Sequence, residues 1–195
     1  MAKRYLTKEI KTLNSSEILS RYHCYFLYLD IISRKVIIIM HINDSLGKDA
    51  EEKISEWLDR PEEGYCFDRI PDQMTGFCGS KNICDFTLFK SPDMFYIESK
   101  ATWSDRFDFN MISEYQYTHL MKKSEMPNVY GIVIILFASA KRAFIINIRE
   151  IDKLIQSGKK SININKIGNW NIRYKEITTV QSRKKLLDYT GEFII

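Results

Sequence analysis

Long clean apolar runs are missing from this sequence. The stretch from Tyr22 to Met40 comes nearest, but Asp30, Arg34 and Lys35 interrupt it. It falls short of the ~20 unbroken residues a bilayer span needs. It also lies too far along the chain, and carries too much charge, for a secretory signal. Glycine and proline are scarce, eight and four in 195 residues, and no repeat or low-complexity tract is present. Fibrous and compositionally biased chains are thereby excluded. The cysteines, Cys24, Cys66, Cys78 and Cys84, include no CxxC pair, and His23, His41 and His119 are scattered. That spacing predicts reduced thiols in a cytoplasmic protein and no structural zinc.

What is present describes a globular domain with a core: 45% hydrophobic and 28% charged residues. The net charge of +4 is mild but uneven. From Lys159 onward eight basic residues face three acidic ones, so this tract holds the whole excess. Its lysines, including Lys159, Lys160, Lys166, Lys184 and Lys185, suit a polyanion, because each neutralised phosphate releases condensed counterions. A solvated lysine-rich surface is the alternative.

Three parts are expected: an N-terminal appendage over 1–43, an α/β core over 44–170, and a basic segment over 171–195 packing on that core. The appendage suggests a helix followed by the strand Lys35–Met40, or an over-long start. In the core, Ala50, Ile54, Trp57 and Leu58 recur at the helical period and predict a helix over Lys48–Leu58. Tyr65–Phe67 suggests a short strand and Pro71–Asn82 a loop. Ile83–Phe89 and Met94–Lys100 read as strands joined at Ser91-Pro92. A helix over Ile112–Met121, a doubly buried strand over Val129–Ser139, a strand over Arg142–Ile148 and a helix over Arg149–Gln156 follow. The order α-β-β-α-β-β-α predicts a mixed sheet between helices.

The chemistry sits on Met94–Lys100. Strand periodicity puts Tyr96, Glu98 and Lys100 on one face and Phe95, Ile97 and Ser99 on the other. The preceding strand brings Asp85 within reach. Two carboxylates converging on one point repel and need a cation between them, and hard oxygen ligands select Mg²⁺ or Mn²⁺. Such a metal polarises a phosphodiester and acidifies water, with the ammonium stabilising the charge that develops. A surface Glu98–Lys100 ion pair is the plainer reading of the same string. Gln116 falls in line with Ile112 and Leu120, a polar side chain in an apolar row aimed at the sheet. Glu51 flanks the apolar stripe of the first helix and faces either the same cleft or solvent.

Taken together, Asp85 and Glu98-Ser99-Lys100 in this order of elements resemble the PD-(D/E)XK nuclease superfamily. Within it the chain resembles most closely the RecU-type Holliday junction resolvases and their phage relatives, from about Gly47 to Gly168. The resemblance is carried by Gly47-Lys-Asp-Ala-Glu51-Glu-Lys-Ile54, Cys84-Asp85-Phe86 and Glu98-Ser99-Lys100-Ala101-Thr102. Phe107-Asp-Phe109 with Ile112 and Gln116, Tyr130-Gly131, and Gly158-Lys-Lys-Ser161 extend it. Leu46 stands where the family has a basic residue, Cys84 where Thr is common, and Pro71–Asn82 is short for the family's stalk. The resemblance implies a restriction-endonuclease-like core and a homodimeric endonuclease acting on branched DNA in recombination and repair. It implies metal ligation by Asp85, Glu98 and the Ser99 carbonyl, with catalytic roles for Lys100, Glu51 and Gln116. A nuclease acting on duplex DNA, or a non-catalytic DNA-binding protein on the same fold, are the alternatives.

Overall fold

A computed structural model describes residues 45–60, 63–71, 82–181, 187–190 and 193. The appendage over 1–43 with its strand Lys35–Met40, the loop residues 72–81, and Lys184 and Lys185 lie outside the described residues.

Helix α1 spans residues 45–58 and buries Leu46, Ala50, Ile54, Trp57 and Leu58 on one stripe, as its periodicity requires. Strands β1 (Tyr65–Arg69), β2 (Phe86–Lys90) and β3 (Asp93–Thr102) follow as an antiparallel meander, with Ser91-Pro92 in the β2–β3 turn. The chain then leaves the sheet through β4 (Arg106–Asp108), a 3₁₀ turn at Phe109–Met111 and helix α2 (Glu114–Lys123). It returns as β5 (Val129–Phe137), parallel to β3. Next come β6 (Arg142–Asn147), helix α3 (Ile148–Gln156), β7 (Ser161–Asn163), β8 (Tyr174–Gln181) and β9 (Leu187–Thr190).

The sheet has the order β1-β2-β3-β5-β6-β8-β9, and β4 and β7 form a separate two-stranded ribbon. It is mixed: β3–β5 is its parallel pair and its other pairs are antiparallel. A parallel pair needs a crossover, and β4 with α2 supplies it. Residues 131–137 of β5 are buried throughout, because helices or the ribbon cover both faces. One core lies under α1 and takes in Phe86, Leu88, Ile97, Ile132 and Ile145. The other lies under α2, α3 and the ribbon, with Phe107, Leu120, Val133, Phe144 and Ile151. The expected α/β architecture of a mixed sheet between helices is therefore present.

Four differences from the sequence expectations have local causes. Helix α2 begins at Glu114 rather than Ile112, because Ser113 caps it and Phe109–Met111 makes a 3₁₀ turn ahead of it. Strands β4 and β7 have three residues each, too few to display a period. In β8 the buried position among the described side chains is Ile177, between exposed Glu176 and Thr178, so its apolar signal is faint. From residue 171 onward the chain supplies β8 and β9 to the sheet itself and buries Tyr189 and Phe193.

Helix α2 sits unusually close to β5. A Cβ at Gly131 would lie 2.8 Å from the Leu120 carbonyl oxygen, so only glycine permits the approach. The Gly131 N–H donates to Ser124 Oγ at the end of α2 (2.7 Å). This contact sets the height of α2 above the sheet, and with it the position of Gln116.

Candidate active site

Glu98 lies near the middle of β3 on the face that α2 covers. It is buried, 1% exposed, which for a carboxylate demands partners. Its Oε1 has two: Lys100 Nζ donates at 2.6 Å, and Gln116 Nε2 donates at 2.6 Å from α2. Lys100 is two residues along the same strand and so shares the face of Glu98. Oε2 is buried with no hydrogen-bond partner among the described residues.

Asp85 enters from the residue before β2. Its backbone is pinned on both sides: the Ile70 N–H donates to its carbonyl (2.8 Å), and its own N–H donates to the Ile97 carbonyl (3.0 Å). Asp85 directly precedes Phe86, the residue that pairs with Ile97, and so lies beside the segment of β3 that carries Glu98. The Ser99 N–H donates to Asp85 Oδ2 at 2.7 Å, tying its carboxylate to the strand that carries Glu98.

Burial is the main reason the Glu98 carboxyl titrates far above an ordinary glutamate, pushed from 4.5 up to about 7. The Asp85 carboxylate adds to the rise, the Lys100 ammonium opposes it, and Glu51 adds a smaller upward push. A second acid raising the first is the mark of two carboxylates sharing a site. Burial, then Glu98 and Asp85, also push the Cys84 thiol up to about 12. Cys84 is therefore a neutral core residue here, its Sγ donating to the Phe86 carbonyl (3.3 Å).

Glu51 projects from α1 and is ion-paired with Arg69 on β1 at 2.6 Å. Gln116 is half-buried rather than a core residue, and it occupies the third position of α2. Its Oε1 accepts from the Ser113 N–H (3.1 Å) and the Ser113 hydroxyl (3.0 Å), while Ser113 Oγ accepts from the Gln116 N–H (3.2 Å). This reciprocal capping box fixes the amide with its nitrogen toward Glu98. The string Ser113-Glu-Tyr-Gln116 carries that signal in sequence. Arg69 has no such local signal, since it lies on β1, 18 residues from its partner Glu51 on α1.

The structure thus gathers Asp85, Glu98, Ser99, Lys100 and Gln116 at one point, with Glu51 in electrostatic range. Lys159, Lys160 and Lys166 are exposed elsewhere on the described surface, and Lys159 Nζ lies 5.2 Å from the Trp170 ring centroid. No described group of three or more His, Cys, Asp or Glu side chains is arranged to hold a metal. Two carboxylates with an unpartnered buried oxygen nonetheless fit Mg²⁺, which keeps several waters and takes one or two carboxylates.

Residues 70–191 match the family model described as Recombination protein U, a match over well more than half of the chain. The chain belongs to the Recombination protein U family. The matched span takes in Asp85, Glu98, Lys100 and Gln116 of this family member and begins after Glu51 and Arg69. Among solved structures the chain is similar to Hjc, a Holliday junction resolvase from the archaeal hyperthermophile Archaeoglobus fulgidus. The two are 15% identical, with 52% of this chain and 77% of that one covered at a TM-score of 0.37. A search of curated proteins gives no match. No helix among the described residues is long and apolar enough to cross a membrane.

Proposed function

We propose that this Recombination protein U family member is a divalent-metal-dependent endonuclease that resolves four-way DNA junctions in recombination and repair. The observation that carries the reading is the buried, unpartnered Glu98 Oε2 beside Asp85, with Oε1 already held by Lys100 and Gln116. A carboxylate oxygen left so is costly unless a cation meets it. Asp85, Glu98 and the Ser99 carbonyl hold Mg²⁺ or Mn²⁺ in this reading. When bound, the metal supplies positive charge to the scissile phosphate and acidifies water.

The chain's own residues do the rest. Lys100 orients the attacking water and neutralises charge developing on the phosphate, from a position fixed by Glu98. Gln116 holds Glu98 in place. Glu51, steadied by Arg69, is an accessory acid at the mouth of the site. Lys159, Lys160, Lys166, Lys184 and Lys185 contact backbone phosphates and fix the register of the DNA without reading sequence. Two protomers act as a homodimer in the cytoplasm, each bringing one site to a junction that is itself two-fold symmetric.

The test incubates the full chain with end-labelled four-way junction, duplex and single strand, in chelator and in Mg²⁺ or Mn²⁺. Metal-dependent paired cuts in the junction, lost in Asp85→Ala and Glu98→Ala with DNA binding retained, are expected. Failure to cut any of the three with either metal, or full activity in either variant, overturns the reading.

A further inference from the structure

Trp103 stands in the turn that follows β3, three residues beyond Lys100. It is 50% exposed, whereas Trp57 is 4% exposed in the core. Half of an indole in water leaves roughly 100 Å² of aromatic surface uncovered. No ring or cation contact to Trp103 occurs among the described residues.

The turn that presents it is clamped. The Ala138 N–H donates to the Thr102 carbonyl (2.8 Å), and the Ser104 N–H to Thr102 Oγ1 (3.0 Å). The Arg106 N–H donates to Ser104 Oγ (3.1 Å), and the Ile164 N–H to the Asp105 carbonyl (2.9 Å). An exposed aromatic on a fixed backbone loses little entropy when a partner covers it. Three residues of chain reach at most about 10 Å, so the Trp103 backbone lies within that distance of the Lys100 backbone. On a DNA strand the same length is about three base steps.

We propose that Trp103 is a stacking platform for an unstacked nucleobase close to the cleaved phosphate, and so a determinant of branched over continuous DNA. The inference rests on the nuclease reading and deepens it. Ser104, Asp105 and Arg106 beside Trp103 are exposed and polar. The core of a protein interface gathers several apolar side chains, and here a single ring stands among polar ones. A nucleobase needs only one ring and a nearby cation, and Arg106, exposed on the same segment and ion-paired with Asp108 at 3.0 Å, is that cation. Bases inside a continuous duplex have both faces covered by their neighbours. A base at a branch point, in a gap or in a single strand offers a free face.

The experiment uses the full chain in chelator, where cleavage does not interfere, with 2-aminopurine at the branch of a four-way junction. A 2-aminopurine single strand and a continuous duplex are the companions. Trp103→Ala is expected to weaken junction and single-strand binding about five- to a hundredfold, the range for losing one base–aromatic stack. Duplex binding stays unchanged, and Trp103→Phe keeps most of the junction affinity. The 2-aminopurine emission is quenched by the wild-type chain and by Trp103→Phe, and not by Trp103→Ala. Equal affinities and equal quenching in Trp103→Ala overturn the proposal. So does a Trp103→Ala chain that changes its sedimentation while quenching normally, because a second copy would then be covering the indole. If junction binding and quenching behave as expected but no DNA is cut with Mg²⁺ or Mn²⁺, the nuclease reading fails and the stacking role stands.

Discussion

Glu98 binds its proton more tightly in the metal-free fold than in the unfolded chain, since burial and the Asp85 carboxylate raise it from 4.5 to about 7. The native state therefore carries the extra proton between those values, and stability falls as pH rises through them. The contribution is present below about pH 4.5 and gone above about pH 7, on the order of 3 kcal/mol for such a shift. Urea unfolding in chelator between pH 5 and pH 8 measures it, and Glu98→Gln flattens the profile. On the proposed function Mg²⁺ acts in the opposite sense, because it would bind the ionised pair, so its stabilisation is expected to be larger at pH 8 than at pH 5. Equal metal effects at the two values would remove Glu98 from the metal site. Lys100 invites a second measurement. Its ammonium is on Glu98 at 2.6 Å, and Lys100→Ala is expected to slow cleavage by about two orders of magnitude, comparable to losing one preorganised charge stabiliser. Unchanged single-turnover rates would reduce Lys100 to a structural partner.

At the scale of elements, the packing of α2 on β5 decides whether Gln116 meets Glu98. Gly131→Ala drives a methyl toward the Leu120 carbonyl, a backbone atom that cannot swing aside. The expected cost is about 1–3 kcal/mol in denaturant unfolding, with a fall in cleavage rate as α2 is pushed off the sheet. Wild-type stability in that variant would mean the approach is looser than described. How much of this was legible in the sequence follows the same physics. Helix α1 and strand β3 were visible through their period, and β5 and β6 as apolar runs buried on both faces. The shared face of Glu98 and Lys100 was visible because strand alternation places them without tertiary information, whereas Asp85 needed the hairpin pairing of the preceding strand with β3. Strands β4 and β7 were not visible, since three residues carry no period, and neither was β8, whose buried position among the described side chains is Ile177. The true start of α2 was written in Ser113-Glu-Tyr-Gln116 but obscured by the apolar Ile112, which is buried ahead of the helix rather than in it. Arg69 was out of reach, since its partner Glu51 lies 18 residues away.

For the whole molecule, resolving a four-way junction demands two sites for two cuts. Light scattering at working concentration is expected to report a dimer, and a supercoiled cruciform plasmid to yield linear product without free nicked circles. A persistent monomer that releases nicked circles first would sink the resolvase reading and leave a nuclease. On the proposed function the exposed Lys159, Lys160 and Lys166 add a salt dependence, since each phosphate they would neutralise steepens the loss of affinity with salt. One feature of the fold spans all three scales. A single amide, that of Gln116, holds Glu98 with its nitrogen and the first turn of α2 with its oxygen. On the proposed function, helix nucleation and cation loading are therefore coupled in this chain. A cation that holds Glu98 in its ionised form keeps a charged acceptor for the Gln116 amide and so steadies the start of α2. Fraying of that turn, in return, lowers the affinity for the cation by the same factor.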